Sequence, residues 1–186
     1  MPKTEDESKT HKRGASLSHS LEDLYKRPGF LLRRANQIAA LMFERECGKE
    51  ITAQQFSALT LIAWLPGIDQ MGVARIMGFD RTTAALVVTN LIKRDWIVRS
   101  PDPLDGRRYH LEATEEGNNM IARVVPKAEA AHHRLVAPLS DAEQVQLSEL
   151  LGRLVTFHND DSSMPIDALD LEDVKQRLRR KSVRSK

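Results

Sequence analysis

The chain has 186 residues, 41% of them hydrophobic, 29% charged and 5% aromatic, which suffices for one compact domain with tails and excludes several large domains. Twenty-eight Lys and Arg against 26 Asp and Glu leave a net charge of +2, too mild to name a polyanionic partner before the charges are placed along the chain. The one cysteine, Cys47, excludes an intrachain disulfide framework and a multi-cysteine zinc site and points to a reducing compartment. The longest apolar runs, such as Leu59 to Leu65, fall short of the roughly 20 residues of a bilayer span, and no apolar segment follows the N-terminal charges, so a cytoplasmic location without a membrane partner is expected.

Residues 1–24 mix charged and hydroxyl side chains with little to bury and read as a disordered arm. Phe30 to Glu46 is apolar at Leu31, Ala35, Ile38 and Met42 and again at Ala39 and Phe43, a stripe wide enough for packing on two sides. Thr52 caps a helix that runs through Phe56, Leu59 and Ile62 to Trp64, where Pro66-Gly67 stops it. Asp69 opens a short helix that ends at Gly78, and Asp80 caps another from Arg81 to about Arg94. Trp96 to Ser100 and Tyr109 to Ala113 suit two strands around the turn Pro101 to Gly106. From Thr114 a long helical pattern reaches Val136, with Pro126 expected to kink or interrupt it. Ser140 and Glu143 form a capping box for a last helix with Leu147, Leu150, Leu151, Leu154 and Val155 at helical spacing. Residues 163–186, acidic and then strongly basic, read as a flexible tail.

Ala74, Gly78 and the apolar positions after Asp80 have the spacing of a helix-turn-helix. On a helical wheel Ala84, Val87, Val88 and Leu91 form the inward face of the second helix. Thr82, Leu86, Thr89 and Lys93, flanked by Ala85 and Asn90, project the other way. That outer face suits a major groove: hydroxyls for phosphates or base edges, Asn90 as donor and acceptor, Lys93 for a phosphate, and Ala85 or Leu86 for a thymine methyl. Arg81, Thr82 and Thr83 sit at the helix N-terminus, which also favours phosphate. In the turn, Arg107 and Arg108 follow Asp105-Gly106, so a basic ribbon can enter a narrow minor groove while Asp105 pairs with one arginine and holds the tip. Helix, glycine turn, hydroxyl-rich helix and basic hairpin, in that order, make a winged helix-turn-helix.

The sequence resembles the MarR family of bacterial transcription regulators over about residues 28–158, most clearly over FDRTTAALVVTNLIKRDWIVRSPDPLDGRRYHLEATEEG, residues 79–117. Position by position, the resemblance implies DNA contacts from Arg81, Thr82, Thr83, Thr89, Asn90 and Lys93, a structural role for Asp105, and Arg107 or Arg108 in or near the minor groove. Two departures bear on the packing of the hairpin: Asp95-Trp96 stands where the family commonly has Gly-Leu, and Ala113 replaces a larger aliphatic residue before Thr114. The expected fold is mainly α with a small β-hairpin. A winged helix-turn-helix, residues 51–113, is flanked by a helical dimerisation region, residues 25–50 and 114–160.

One recognition helix contacts few bases, so a twofold dimer on a pseudopalindromic operator is expected, and the apolar surface of the terminal helices supplies its interface. The family resemblance implies that these helices intertwine and that a small-molecule pocket lies between them and the winged domain. Arg33 and Arg34 are candidates to bond a carboxylate there, Trp64 to stack on a ring, and His110 to sense ligand at the base of the wing. RPGFLLRRANQI, residues 27–38, is similar to regulators of aromatic acid catabolism, including nicotinate-type pathways, so an aromatic carboxylate effector that releases a repressor from its operator is expected. The alternatives are a winged protein-interaction module, a redox response through Cys47, or a metal response through the His132-His133 pair with His158. No phosphate-binding glycine loop, HExxH helix or Gly-x-Ser-x-Gly elbow appears, and neither an enzyme nor a cofactor or metal is expected.

Overall fold

The computed structural model describes residues 21–101 and 109–166, an α-rich chain with one two-stranded antiparallel sheet. The chain divides into two compact units, Met1–Gln37 and Ile38–Lys186. The first contains α1 (Leu21–Tyr25) and the opening of α2 (Pro28–Cys47). Residues 21–24, assigned to the disordered arm by their polar surroundings, are therefore helical. An edge-on contact between Tyr25 and Phe30, with ring centroids 5.0 Å apart, gives that turn an apolar partner that its composition conceals. Residues 1–20 lie outside the described residues. Pro28 begins α2 at the position where its missing N–H costs nothing.

In the second unit α3 (Ala53–Trp64) is the central helix. Thr52 accepts from the Gln55 amide while Gln55 returns a bond to the Thr52 N–H, and Ala58, Leu59 and Ile62 are wholly buried. Around it pack α4 (Gln70–Met77), α5 (Arg81–Lys93), the hairpin of β1 (Ile97–Pro101) and β2 (Tyr109–Ala113), and α6 (Glu115–Val136). The strands pair from Ile97 opposite Ala113 to Pro101 opposite Tyr109. Ile68 and Leu111 form a further bridge, so the α3–α4 connection is fastened to β2 as a short third rung.

Of the kink or interruption expected at Pro126, the interruption does not occur: α6 runs on through Pro126 to Val136. Pro126 and Ala122, whose carbonyl loses its helical partner, are both on the exposed side, where water can satisfy that oxygen. Helix α7 (Asp141–Phe157) carries the Ser140–Glu143 capping box but buries none of its own residues. Leu147, Leu150, Leu154, Val155 and Phe157 are exposed on it, as are Leu31, Leu32, Ile38 and Leu41 on α2.

Residues 163–166, read from composition as the start of a flexible tail, are folded back on the chain. After a 3₁₀ turn at Asn159–Asp161, the Asn159 side chain accepts from the Ile166 N–H and donates to the Ile166 carbonyl, and Met164 is buried with the core. One asparagine thus supplies the backbone pairing that the composition of this stretch gave no reason to expect. Residues 167–186, including the basic end, lie outside the described residues.

Candidate nucleic-acid interface

The α4–α5 junction sets the orientation of everything that follows. Val73 and Ala74 of α4 are wholly buried, and Gly78 ends the helix in the left-handed region at φ 65°, donating its N–H back to Ala74 and Arg75. Side chains other than glycine adopt that conformation at a cost, so the turn is built around Gly78. Asp80 then caps α5, accepting from the Thr83 N–H at 2.7 Å and from the Thr83 hydroxyl at 3.0 Å.

These bonds from Thr83 hold the Asp80 carboxyl below the usual carboxylate range. A carboxyl whose folded value is depressed contributes stability above its unfolded value, about pH 4, and loses it as the pH falls through the folded value. Asp80→Asn, which keeps an acceptor but no charge, is therefore expected to melt below the wild type at pH 7, with the gap narrowing as the pH falls below about 4. A gap that stays constant over that fall in thermal melts contradicts the assignment.

Helix α5 divides as its sequence spacing predicts. Ala84, Val87, Val88 and Leu91 are buried against the core. Arg81, Thr82, Leu86, Thr89 and Lys93 are exposed, and Asn90 and Ala85 are half-buried at the edge of that face. Thr83 is also half-buried, and its hydroxyl donates to Asp80. From Arg81 to Arg94 the chain carries three cations and no carboxylate, so the outward side presents hydroxyls, an amide and a leucine within a positive field.

The hairpin leaves α5 without slack. The Trp96 N–H donates to Leu91, and Asp95 between them adopts φ 58°, a left-handed conformation that explains why glycine suits this position. Trp96 fills the core with Arg94 stacked 5.0 Å from its ring, and Ala113 packs half-buried beside it. The two departures from the family pattern are thus accommodated with the two strands paired. Arg99 lies 3.9 Å from the centroid of Tyr109 on the neighbouring strand, which stiffens the stem and keeps another guanidinium on it. Asp105, Arg107 and Arg108 lie outside the described residues, but Arg108 directly precedes Tyr109, the residue paired with Pro101 at the end of the stem.

The sequence pattern of the MarR family matches residues 51–109, from the entry to α3 through the hairpin turn. A Thauera aromatica protein named as transcriptional regulatory protein for the hcr operon is 35% identical over 139 residues, 74% of this chain and 82% of that protein. The chain belongs to the MarR family of transcriptional regulators. The PcaV regulator of Streptomyces coelicolor, solved with its natural ligand, shares this MarR fold with a TM-score of 0.69 and 34% identity over 72% of this chain and 95% of PcaV. BpsR of Bordetella bronchiseptica, whose DNA binding is regulated by 6-hydroxynicotinic acid, has a TM-score of 0.67 and 28% identity over 69% of this chain and 93% of its own.

The residues expected to hold an effector in this MarR-type regulator are spread over several elements. In the first unit Arg33 and Arg34 are exposed on α2, where Arg34 donates to the Gln37 side chain at 3.2 Å. In the second unit Trp64 is half exposed at the end of α3, and half-buried His110 stands beside the Gly67 turn. Sequence reading missed a cavity of about 360 Å³ between α4 and the hairpin, lined by Asp69, Gln70, Met71, Arg75, Arg99, Tyr109 and Leu111. Of its lining residues, Arg99 and Tyr109 meet on the diagonal of the β ladder, a juxtaposition visible only once the strand register is known.

Cys47 is half-buried, and burial pushes its thiol up, with Glu46 adding to the rise and Lys127 opposing it. This is the reverse of what makes a thiol reactive. His132 and His133 are both exposed, with ring centroids 5.9 Å apart, and His158 pairs with Asp161 at 2.9 Å. Among the described residues no three His, Cys, Asp or Glu side chains gather as a metal would require.

Proposed function

We propose that the chain acts as a dimeric repressor that binds a pseudopalindromic operator and is released from it by a small aromatic carboxylate. The observation that carries this reading is the outward face of α5: Arg81, Thr82, Thr89 and Lys93 are exposed on a helix whose opposite side is locked into the core. Thr82 and Thr89 meet phosphates or base edges, Asn90 an adenine, and Arg81 and Lys93 the phosphate backbone. Thr83 serves the start of the helix through Asp80, and Arg107 or Arg108 enters the minor groove with Asp105 bracing the turn.

Residues 51–113 form the DNA-binding unit. The exposed leucines of α2 and α7, from residues 25–50 and 114–160, form the dimer surface, since faces this apolar rarely stay open to water. The effector reading draws support from BpsR, regulated by 6-hydroxynicotinic acid. It assigns Arg33 or Arg34 to the carboxylate, Trp64 to the ring and His110 to the link with the wing. To act, the effector must bind the operator-incompetent arrangement more tightly than the competent one.

The test is fluorescence anisotropy with duplexes from the region upstream of the protein's own gene, over a range of salt. The wild type is expected to bind one duplex specifically, with a log–log salt slope that Lys93→Ala lowers by about one unit per subunit. Adding 6-hydroxynicotinic acid and related aromatic acids is expected to release the duplex. Binding without sequence preference, or a slope unchanged by Lys93→Ala, counts against the recognition face. Release by none of the acids removes the effector assignment.

A further inference from the structure

The outward face of α5 contains one residue that the polar contacts leave unexplained. Leu86 is 62% exposed, more than any other large hydrophobic residue described between Ile51 and Ala113. A single exposed leucine needs no explanation by itself. This one stands one helical turn from Thr82 on one side and from Thr89 and Asn90 on the other, on the face opposite Ala84, Val87, Val88 and Leu91. The surrounding charge is positive, with Arg81, Lys93 and Arg94 and no carboxylate from residue 81 to residue 94. That field matches a polyanion and disfavours a membrane interior or an apolar protein surface.

We infer that Leu86 reads the C5-methyl group of one thymine in each half-site, and so is a specificity-determining residue of this regulator. The inference rests on the proposed DNA contact of α5. Of the four bases only thymine presents a methyl group in the major groove, and an aliphatic side chain is the partner that buries it. The helix also predicts where that thymine lies. Leu86 and Asn90 are four residues apart, about 6 Å along the axis. Base pairs are spaced about 3.4 Å apart and a helix in the groove lies at an angle to the duplex axis, so the methyl lies within about two base pairs of the adenine that Asn90 recognises. Asn90 and Leu86 together then specify an A·T-rich core within each half-site.

The experiment starts from duplexes selected out of a random-sequence library by the wild-type protein. Each symmetric pair of thymines is then replaced by deoxyuridine, which removes the methyl and leaves the hydrogen-bonding edge unchanged. One pair, within about two base pairs of an adenine, is expected to lower affinity about fourfold for each half-site. Leu86→Ala, which keeps a good helix former at an exposed position, is expected to bind the thymine and deoxyuridine duplexes equally and to melt like the wild type. The inference is overturned if no deoxyuridine pair costs as much as twofold, or if Leu86→Ala still discriminates. It is also overturned if Leu86→Ala leaves DNA binding intact but dissociates the protein in sedimentation, which would assign Leu86 to a second copy of the chain. Wild-type protein that selects no duplex at all brings down the DNA-binding reading itself, an outcome distinct from the others.

Discussion

Gly117→Ala is expected to destabilise the protein by about 3 kcal/mol or more, a larger loss than alanine at any other described glycine should cause. A Cβ at residue 117 would stand 2.0 Å from the Trp96 carbonyl oxygen and 2.9 Å from its carbon, with Leu59 Cδ1 at 3.3 Å behind. The atoms it strikes are backbone, so no rotamer change relieves the contact; the start of α6 must retreat from the start of β1. That retreat breaks a compact set of bonds. The Thr114 N–H donates to the Trp96 carbonyl, the Thr114 hydroxyl donates to the Asp95 carbonyl at 2.6 Å, and the Gly117 N–H donates to Thr114 Oγ1.

The same junction holds the end of α5 against the hairpin, so the variant is also expected to lose DNA affinity, although Gly117 is buried away from any ligand. Thermal melting should show a Tm lower by roughly 6–12 °C, given about 2–4 °C per kcal/mol for a chain of this size. A Tm within about 2 °C of the wild type would mean that α6 does not approach Trp96 as closely as described.

What the sequence made legible was whatever depends on neighbours along the chain. The buried and exposed sides of α5 follow from a period of 3.6 residues, and the caps at Thr52, Asp69, Asp80 and Ser140 follow from a side-chain acceptor meeting free amides three residues on. That Pro126 leaves α6 uninterrupted was not legible, because the cost of a proline in a helix depends on whether the freed carbonyl faces water, and only the packed structure places Ala122 and Pro126 on the exposed side. The fold-back at residues 163–166 was missed because it depends on one asparagine seven residues from its partner, with Met164 finding room in a core made elsewhere. Arg33, Arg34, Trp64 and His110 were chosen by residue type. A pocket is made of elements distant in sequence, and type alone does not bring them together.

Arg107→Ala is expected to cause the largest loss of operator affinity among single substitutions, roughly 100-fold at fixed salt. One groove-reading arginine contributes about 1–3 kcal/mol, and a twofold dimer loses two of them. The position earns this emphasis from what lies beside it. The ladder from Ile97–Ala113 to Pro101–Tyr109, the Ile68–Leu111 bridge and the Arg99–Tyr109 stack make a stem that cannot swing independently of α5. Arg107 stands two residues before Tyr109. The ladder fixes Pro101 and Tyr109, the two ends of the segment that carries Arg107, so on the proposed reading the wing arginine is offered to the same duplex as α5.

Arg107→Lys separates charge from shape. It keeps the cation but not the planar fork, and is expected to recover only part of the loss, whereas full recovery would mean a phosphate contact in place of a minor-groove one. Both variants should melt like the wild type. A loss under threefold for Arg107→Ala, measured on the duplex used for Lys93→Ala, would take the wing out of DNA recognition and leave α5 to bear it alone.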